Sequence, residues 1–524
     1  MLGCRIIKGM SHDAPFPLHQ LPQLRQLLPH FLAETLEIDP SDEMLDQVFN
    51  HLRTLYHILD DYLPRRIATR PPQPGQLDFT WQEGTLIFTD LVGFTTLMEA
   101  NNKFGQKGAE TLLNILNAYF GEMIEIASKS SGDLLEFTGD ALLILFPKDK
   151  GRKDIERAIR AGLRMQRAMR HFEKIETPLG NFSLGMRVGL HSGRFLTANI
   201  GTPDRMEYVL LGNTVLQAKH AESASERGRV CLTQETYEHV RDDFHFEPGK
   251  PGYMFVVDDL ATGILGEYEL FSSVRRRSIP VLMLDSSREG MLHAIRQGIE
   301  RVAPLAAHMP QQVLEIQVES TETRRIPPEF PNPAAVFVNL RGLTESIDKA
   351  LPEEQAGLVQ AFSEVFTQIN AVVEQKGGVL KKVTCHLNGS DMAIYFGTPK
   401  PTKNYPLHAA ETALAIRAIV ANLPPITVNG EPFHLFCQVG VNVGPAFSAE
   451  IGEPRGRREF NVLGDTINTT ARLMNRAEPN QVLASKPIYE ATAPHFNYAY
   501  LGDFSLKGKA APTAIYALEG LKVD

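Results

Sequence analysis

Four blocks of this chain occur twice, in the same order and at nearly the same spacing. TLIFTDLVGFT at 85–95 returns as AAVFVNLRGLT at 334–344, and GDALLILF at 139–146 returns as GSDMAIYF at 389–396. Further on, VGLHSG at 188–193 is echoed by VGVNVG at 439–444, and YVLLGNTV at 208–215 by FNVLGDTI at 460–467. All four offsets are roughly 250 residues, a register that chance similarity between short apolar runs does not keep. The chain therefore holds two copies of one domain. Two copies of one unit are expected to pack as a pseudo-twofold pair with two related clefts.

Within the first copy, strand and helix patterns alternate. A short apolar, β-prone run ends at Asp90, a helix is expected over 105–128, and two short strands lie around Gly132, the second at 141–146. A helix over 153–172 and strands at 182–191 and 268–271 complete the unit. This order is that of an α+β fold with helices on one face of a mixed sheet. The first copy is assigned to 84–272, the second to 334–524, and the connector to 273–333, with a helix expected over 287–302. Ahead of the repeat, 1–83 forms an N-terminal helical segment and linker. There Ser41 is placed to cap a helix with Asp42 and Glu43 in its first turn and Leu45, Val48, Leu52, Leu55 and Leu59 on its apolar face. Arg70-Pro-Pro-Gln-Pro-Gly75 breaks that pattern, and Trp81 is expected to anchor the linker on the first domain.

Composition narrows the function classes. A formal charge of -9 argues against a general nucleic-acid binder and offers no attraction to an anionic membrane surface, yet leaves room for a nucleotide held by a few local cations. No apolar run is long enough for an integral membrane segment, and the first twenty residues lack a signal-peptide core. Cys4, Cys231, Cys385 and Cys437 form no CxxC pair, so neither a disulfide framework nor a zinc site is expected and a cytoplasmic location fits. The N-terminal helices are free to pack on the next domain or on a regulatory partner.

The chemistry lies in how the copies differ. The first carries Asp90 and Asp140, where the second has Asn339 and Ser390. An acid at a strand end is by itself more often a turn former than a ligand; two acids at the ends of adjacent strands make a hard-oxygen site for divalent cations. The later block reverses the asymmetry: the second copy has Asn468 and Arg472, where the first has Leu216 and His220. An Asn and an Arg four apart share a helix face and suit a sugar and a phosphate. One cleft would be complete and the other empty of both sets. His191, at a strand end, is read as a structural histidine.

The runs FTDLVGFT at 88–95, FTGDALLILF at 137–146 and NVLGDTINTTAR at 461–472 resemble the signatures of class III nucleotidyl cyclases. The tandem arrangement resembles the soluble, bicarbonate-responsive adenylyl cyclases and their bacterial relatives. The resemblance implies two ferredoxin-like cyclase domains packed as a pseudo-twofold heterodimer, converting ATP to 3′,5′-cyclic AMP and pyrophosphate. It implies that two divalent cations (Mg2+ or Mn2+, with Ca2+ a third option) are held by Asp90, Asp140 and the Leu91 carbonyl. Gly93, Phe94 and Thr95 would cradle phosphates at a helix start, and Arg194 and Lys507 would bind them. Asn468 would orient the ribose, Arg472 would stabilise the transition state, and Lys382 with Asn461 would read the base. Lys382 and Asn461 are not the Glu and Cys of guanylyl cyclases, which favours ATP over GTP. The other expectations weighed are a guanylyl cyclase and a catalytically silent nucleotide-binding pair. In the degenerate pseudo-site, Glu136 replaces the lysine of bicarbonate-responsive relatives, and Lys219 or His220 stands at their arginine. A carboxylate facing that cation predicts a weak or absent bicarbonate response.

Overall fold

The computed structural model describes residues 21–149, 153–177, 180–259, 285, 287–320, 325–386, 389–453, 456–506 and 512–522. Each repeat folds around one mixed sheet. In the first, the strands run Asp133–Thr138, Ala141–Pro147, Asp78–Val92, Gly185–Gly201, Val230–Thr233, Tyr253–Asp259 and Phe244–Pro248 across the sheet, with Met206–Leu211 beside the far end of Gly185–Gly201. The second repeats the order with Gly378–His386, Gly389–Phe396, Ala334–Arg341, Phe436–Val443, Gln481–Ser485, Thr513–Leu521 and Phe496–Phe504. Both are ferredoxin-like α+β domains. Helices Gly105–Lys129 and Lys153–Ala168 cover one face of the first sheet, and Pro352–Gln375 and Tyr405–Ala421 that of the second. The strand expected at 268–271 lies outside the described residues.

The copies differ in one backbone feature that the local sequence dictates. In the first, Gly185–Gly201 runs on without a break and pairs with Met206–Leu211 through six residue pairs from Leu196↔Leu211 to Gly201↔Met206. In the second, Gly444 and Pro445 end the core strand, because proline offers no N–H to a ladder. The corresponding arm, Phe447–Gly452 with Arg458–Leu463, is therefore a separate two-stranded ribbon.

The N-terminal segment is helical, as its periodicity predicts. Helix Asp42–Tyr62 is capped by Ser41, whose Oγ accepts the Met44 N–H, and buries Leu45, Val48, Leu52, Leu55, Ile58 and Leu59. That stripe packs on the connector helix Arg288–Ala306, where Gly298 lets Leu52 approach. The bundle is latched to the arm of the second copy. Tyr62 donates to Glu450, Gln317 Nε2 donates to Glu450 and to the Tyr62 hydroxyl at 2.8 Å each, and Arg458 pairs with Glu450 at 2.9 Å. All four side chains are buried. Trp81 is a strand residue rather than a linker anchor: its Nε1 donates to Gln355 of the second copy at 2.9 Å, and the Arg194 guanidinium lies 3.9 Å from its ring centre.

Candidate functional site

Asp90 lies two residues before the end of the central strand of the first copy, and Asp140 follows Gly139 in the adjacent hairpin turn. The chain then turns at Gly93, whose φ of 95° and close approach to the Ser183 carbonyl exclude a side chain. Helix Phe94–Asn102 starts immediately after it, leaving the N–H groups of its first turn without intrahelical partners. Phe94 is buried, and Thr95 partly exposed, at that start. Leu91 packs its side chain into the core at 5% exposure.

The two halves of the cleft meet at a second glycine turn. Gly464, with φ 128°, precedes helix Asp465–Arg476; a Cβ there would come within 2.6 Å of Met98 Sδ in the helix after Gly93. On the other side, Leu463 touches Gly139, next to Asp140, at 3.7 Å from an ideal Cβ. Asn468 and Arg472 ride on that helix, Asn468 exposed and Arg472 partly exposed, with Arg472 reaching back to Asp465 at 3.8 Å. The acids of one copy and the Asn–Arg pair of the other thus flank one interface.

The charges within the acid half are arranged around Arg187, which the motif reading passed over. Arg187 stands directly opposite Asp90 in the ladder and holds it through both Nε, at 3.2 Å, and Nη2. It also pairs with buried Glu222 at 3.1 Å, and Lys219 reaches the same Glu222 at 2.9 Å. Burial, with Asp90 next to it, pushes the Asp140 carboxyl up to about 7. An oxygen-only donor pair whose second carboxyl resists ionisation in the absence of a cation fits divalent ions of the magnesium type. Asp90, Asp140 and the Leu91 carbonyl are the groups that would hold them.

Arg194 is not part of this cluster. It pairs with Glu83 in the ladder, seven residues along from the Asp90 to Arg187 pair, which is about 23 Å at 3.3 Å per residue. Two arginines bracket the motif Met186-Arg-Val-Gly-Leu-His-Ser-Gly-Arg194; the strand register selects the first. Lys507 lies outside the described residues. Lys382 is 3.4 Å from Glu459 and 3.9 Å from Glu136, and Asn461, beside them, is 1% exposed. Against its burial, Lys382, Lys381 and Arg457 hold Glu459 down at about 2.

In the second cleft the equivalent side chains are neutral and bonded to their neighbours. Asn339 takes the place of Asp90 and donates to Gln438 at 3.4 Å, while Ser390 shares a 2.7 Å hydrogen bond with Thr344. The neighbouring Asp391, missed in the sequence, is buried opposite Asn339, and burial holds its carboxyl well above the usual range. Across from them, helix Asn213–Ala224 carries Leu216, buried, and His220, partly exposed, and receives the Asp348 carboxylate on its first N–H at 2.5 Å. Glu136 is buried and paired with Lys382 and Thr138, not with Lys219 or His220, because the two hairpins meet near the pseudo-twofold axis. His191 is structural, its Nδ1 2.7 Å from Thr233 Oγ1.

The strand order of the two repeats defines a tandem pair of cyclase-type domains. The family model for the adenylate and guanylate cyclase catalytic domain matches residues 80–259 and 328–520, and the chain belongs to that family. Among curated proteins it is 24% identical over 481 residues to adenylate cyclase type 10 of Mus musculus and 22% identical over 475 residues to that of Homo sapiens. Each alignment covers 88% of this chain but 28% of the relative, so the chain spans little more than a quarter of their length. An adenylate cyclase of Mycobacterium tuberculosis is 25% identical over 222 residues, covering 42% of this chain and 46% of the relative. Among solved structures, a class III adenylyl cyclase-like ATP-binding protein from Pseudomonas aeruginosa superposes with a TM-score of 0.54 at 13% identity, covering 79% of this chain and 85% of that one. Among the described residues no helix is long and apolar enough to cross a membrane.

Proposed function

We propose that the chain is an adenylyl cyclase converting ATP to 3′,5′-cyclic AMP and pyrophosphate at a single cleft. The observation that carries the reading is the contact of the Leu463–Gly464 turn with Gly139 and Met98, which joins the Asp90 and Asp140 half to the Asn468 and Arg472 half. Two divalent cations, when bound, would acidify the ribose 3′-hydroxyl and neutralise the phosphates. Asp90 and Asp140 hold that charge. Arg187, once its grip on Asp90 is relieved, offers a two-pronged guanidinium to the terminal phosphates beside the helix start at Gly93, Phe94 and Thr95. Asn468 orients the ribose, and Arg472 stabilises the charge that builds on the α phosphate. Lys382 and Asn461 face the base. The relatives named adenylate cyclase favour ATP over GTP.

A second reading is a silent ATP-binding pair, favoured by the likeness to the cyclase-like ATP-binding protein of Pseudomonas aeruginosa. Retention of the Asp90, Asp140, Asn468 and Arg472 set at one interface supports the enzyme instead. Incubation of purified protein with ATP or GTP and Mg2+ or Mn2+ tests this. Cyclic AMP that disappears in Asp90→Ala is the expected result; no cyclic product from either nucleotide would defeat the cyclase reading.

A further inference from the structure

The base-facing half of the cleft contains a buried cluster that the motifs do not account for. Strand Gly378–His386 bulges between Leu380 and Lys382, and both Lys381 and Lys382 reach the arm strand Arg458–Leu463. Lys381 Nζ lies 3.1 Å from Glu459 Oε1, and Lys382 Nζ lies 3.4 Å from Glu459 Oε2. Lys381 also donates to Asn461 Oδ1. Asn461 is 1% exposed, and its Nδ2 has no hydrogen-bond partner among the described residues. An ammonium only donates, so the amide oxygen is the one end of Asn461 that can face Lys381. Turning the amide round would set two donors against each other.

We propose that Lys381 is a positioning residue for base selection: it converts Asn461 from an amide that can pair either way into a reader whose Nδ2 hydrogens are left for the N1 acceptor of adenine, a position at which guanine carries a hydrogen. The proposal rests on the nucleotide reading above and deepens it. A free amide accommodates a donor or an acceptor by rotating, whereas a locked one accepts one pattern and leaves a buried donor unpaired against the other. Arg457, 3.2 Å from Glu459, and Lys382 keep cations on that carboxylate when Lys381 is replaced, so the cluster does not depend on Lys381 for charge balance.

The test is the ratio of Kd values for the α,β-methylene analogues of ATP and GTP, titrated calorimetrically into the full chain with Mg2+. Wild type is expected to bind the ATP analogue at least about tenfold more tightly, the value of one mispaired buried hydrogen bond, and a preference for the GTP analogue would overturn the proposal. Lys381→Met should bring the ratio to within about threefold of unity, and Lys381→Arg, which like lysine only donates, should keep the wild-type ratio. In an Asn461→Leu background, Lys381→Met should leave the ratio unmoved, because nothing remains to be oriented. A wild-type ratio in Lys381→Met, or the same shift in both backgrounds, would overturn the orienting role and leave the cyclase reading untouched. A Kd ratio that depends on Lys381 in a protein that forms no cyclic product would overturn the cyclase reading and leave the orienting role standing.

Discussion

The same cross-strand position is a charged pair in one repeat and an amide pair in the other. Asp90 faces Arg187 in the first, and Asn339 faces Gln438 in the second. Around the charged pair stand Asp140, Lys219 and Glu222, a cluster with a carboxyl that resists ionisation and a helix start left open. Around the amide pair Ser390 bonds to Thr344, Asp348 caps the helix of Leu216 and His220, and the buried Asp391 carboxyl opposite Asn339 is held toward its neutral form. A neutral pair needs no counter-ion and no ligand. A charged cluster at an interface is kept at a cost in desolvation, which is what a site for a charged substrate looks like before the substrate arrives.

The largest test of this contrast is to remove each side in turn. Asp90→Ala should lower cyclic product formation by at least about 10³-fold and Arg472→Ala by about 10² to 10³-fold, whereas Asn339→Ala should stay within about twofold of wild type. Initial rates at saturating nucleotide and metal distinguish these, and an Asn339 effect as large as that of Asp90 would erase the distinction between clefts. Next in size, Arg187→Ala should raise KM and reduce kcat/KM by about 10- to 100-fold, while Arg194→Ala changes neither by more than about twofold.

A smaller effect concerns the latch. Tyr62→Phe removes the hydroxyl shared by Glu450 and Gln317, and should cost about 1–2 kcal/mol in chemical denaturation. The pH dependence follows from Asp140. Its folded pKa of about 7 lies above its ordinary value of 3.8, so between those values the folded state binds more protons than the unfolded one. The metal-free protein should therefore lose stability as pH rises from about 4 to 7, by up to about 4 kcal/mol for this group. Asp140→Asn should flatten that part of the curve, and an unchanged slope in the variant would refute the assignment. The smallest expected effect is that of bicarbonate: with the Glu136 carboxylate buried against Lys382, turnover at fixed pH should change by less than about twofold.

Much of this was legible in the residues. The repeat defined the two domains, and comparison of its copies singled out Asp90, Asp140, Asn468 and Arg472, because strand ends and helix faces are local properties. Arg187 was missed in favour of Arg194 because both flank the same motif, and only the ladder register shows which stands opposite Asp90. One signal was available: the two are an odd number apart in an extended strand and so face opposite sides of the sheet. The partner of Glu136 was misjudged for a different reason. Lys382 comes from the other repeat, and their approach depends on how the hairpins pack near the axis, which no local pattern encodes. The long uninterrupted strand of the first copy was foreshortened to 182–191, although Pro445, set against its echo in the first copy, marks where only the second must break.

That break makes the two arms mechanically unequal. The first is a continuation of its own sheet and the second a separate ribbon, although each is tied at its tip to a helix of the other copy, Gly201 N–H to the Ser363 hydroxyl at 2.9 Å and Gly452 N–H to Asn117 Oδ1 at 3.1 Å. The second leaves its sheet at Gly444 and Pro445, carries Asn461 with Asn468 just beyond it, and is held by Tyr62 and Gln317 of the helical bundle and by a bridge between Ser448 and Glu329. Amide hydrogen exchange should accordingly be faster over 447–463 than over 195–211, and faster still in Tyr62→Phe. A push on the outer helices would then reach the ribose-handling end of the cleft through this ribbon, whose Phe447, Ala449 and Ile451 also pack into the core behind Leu91 and Phe94.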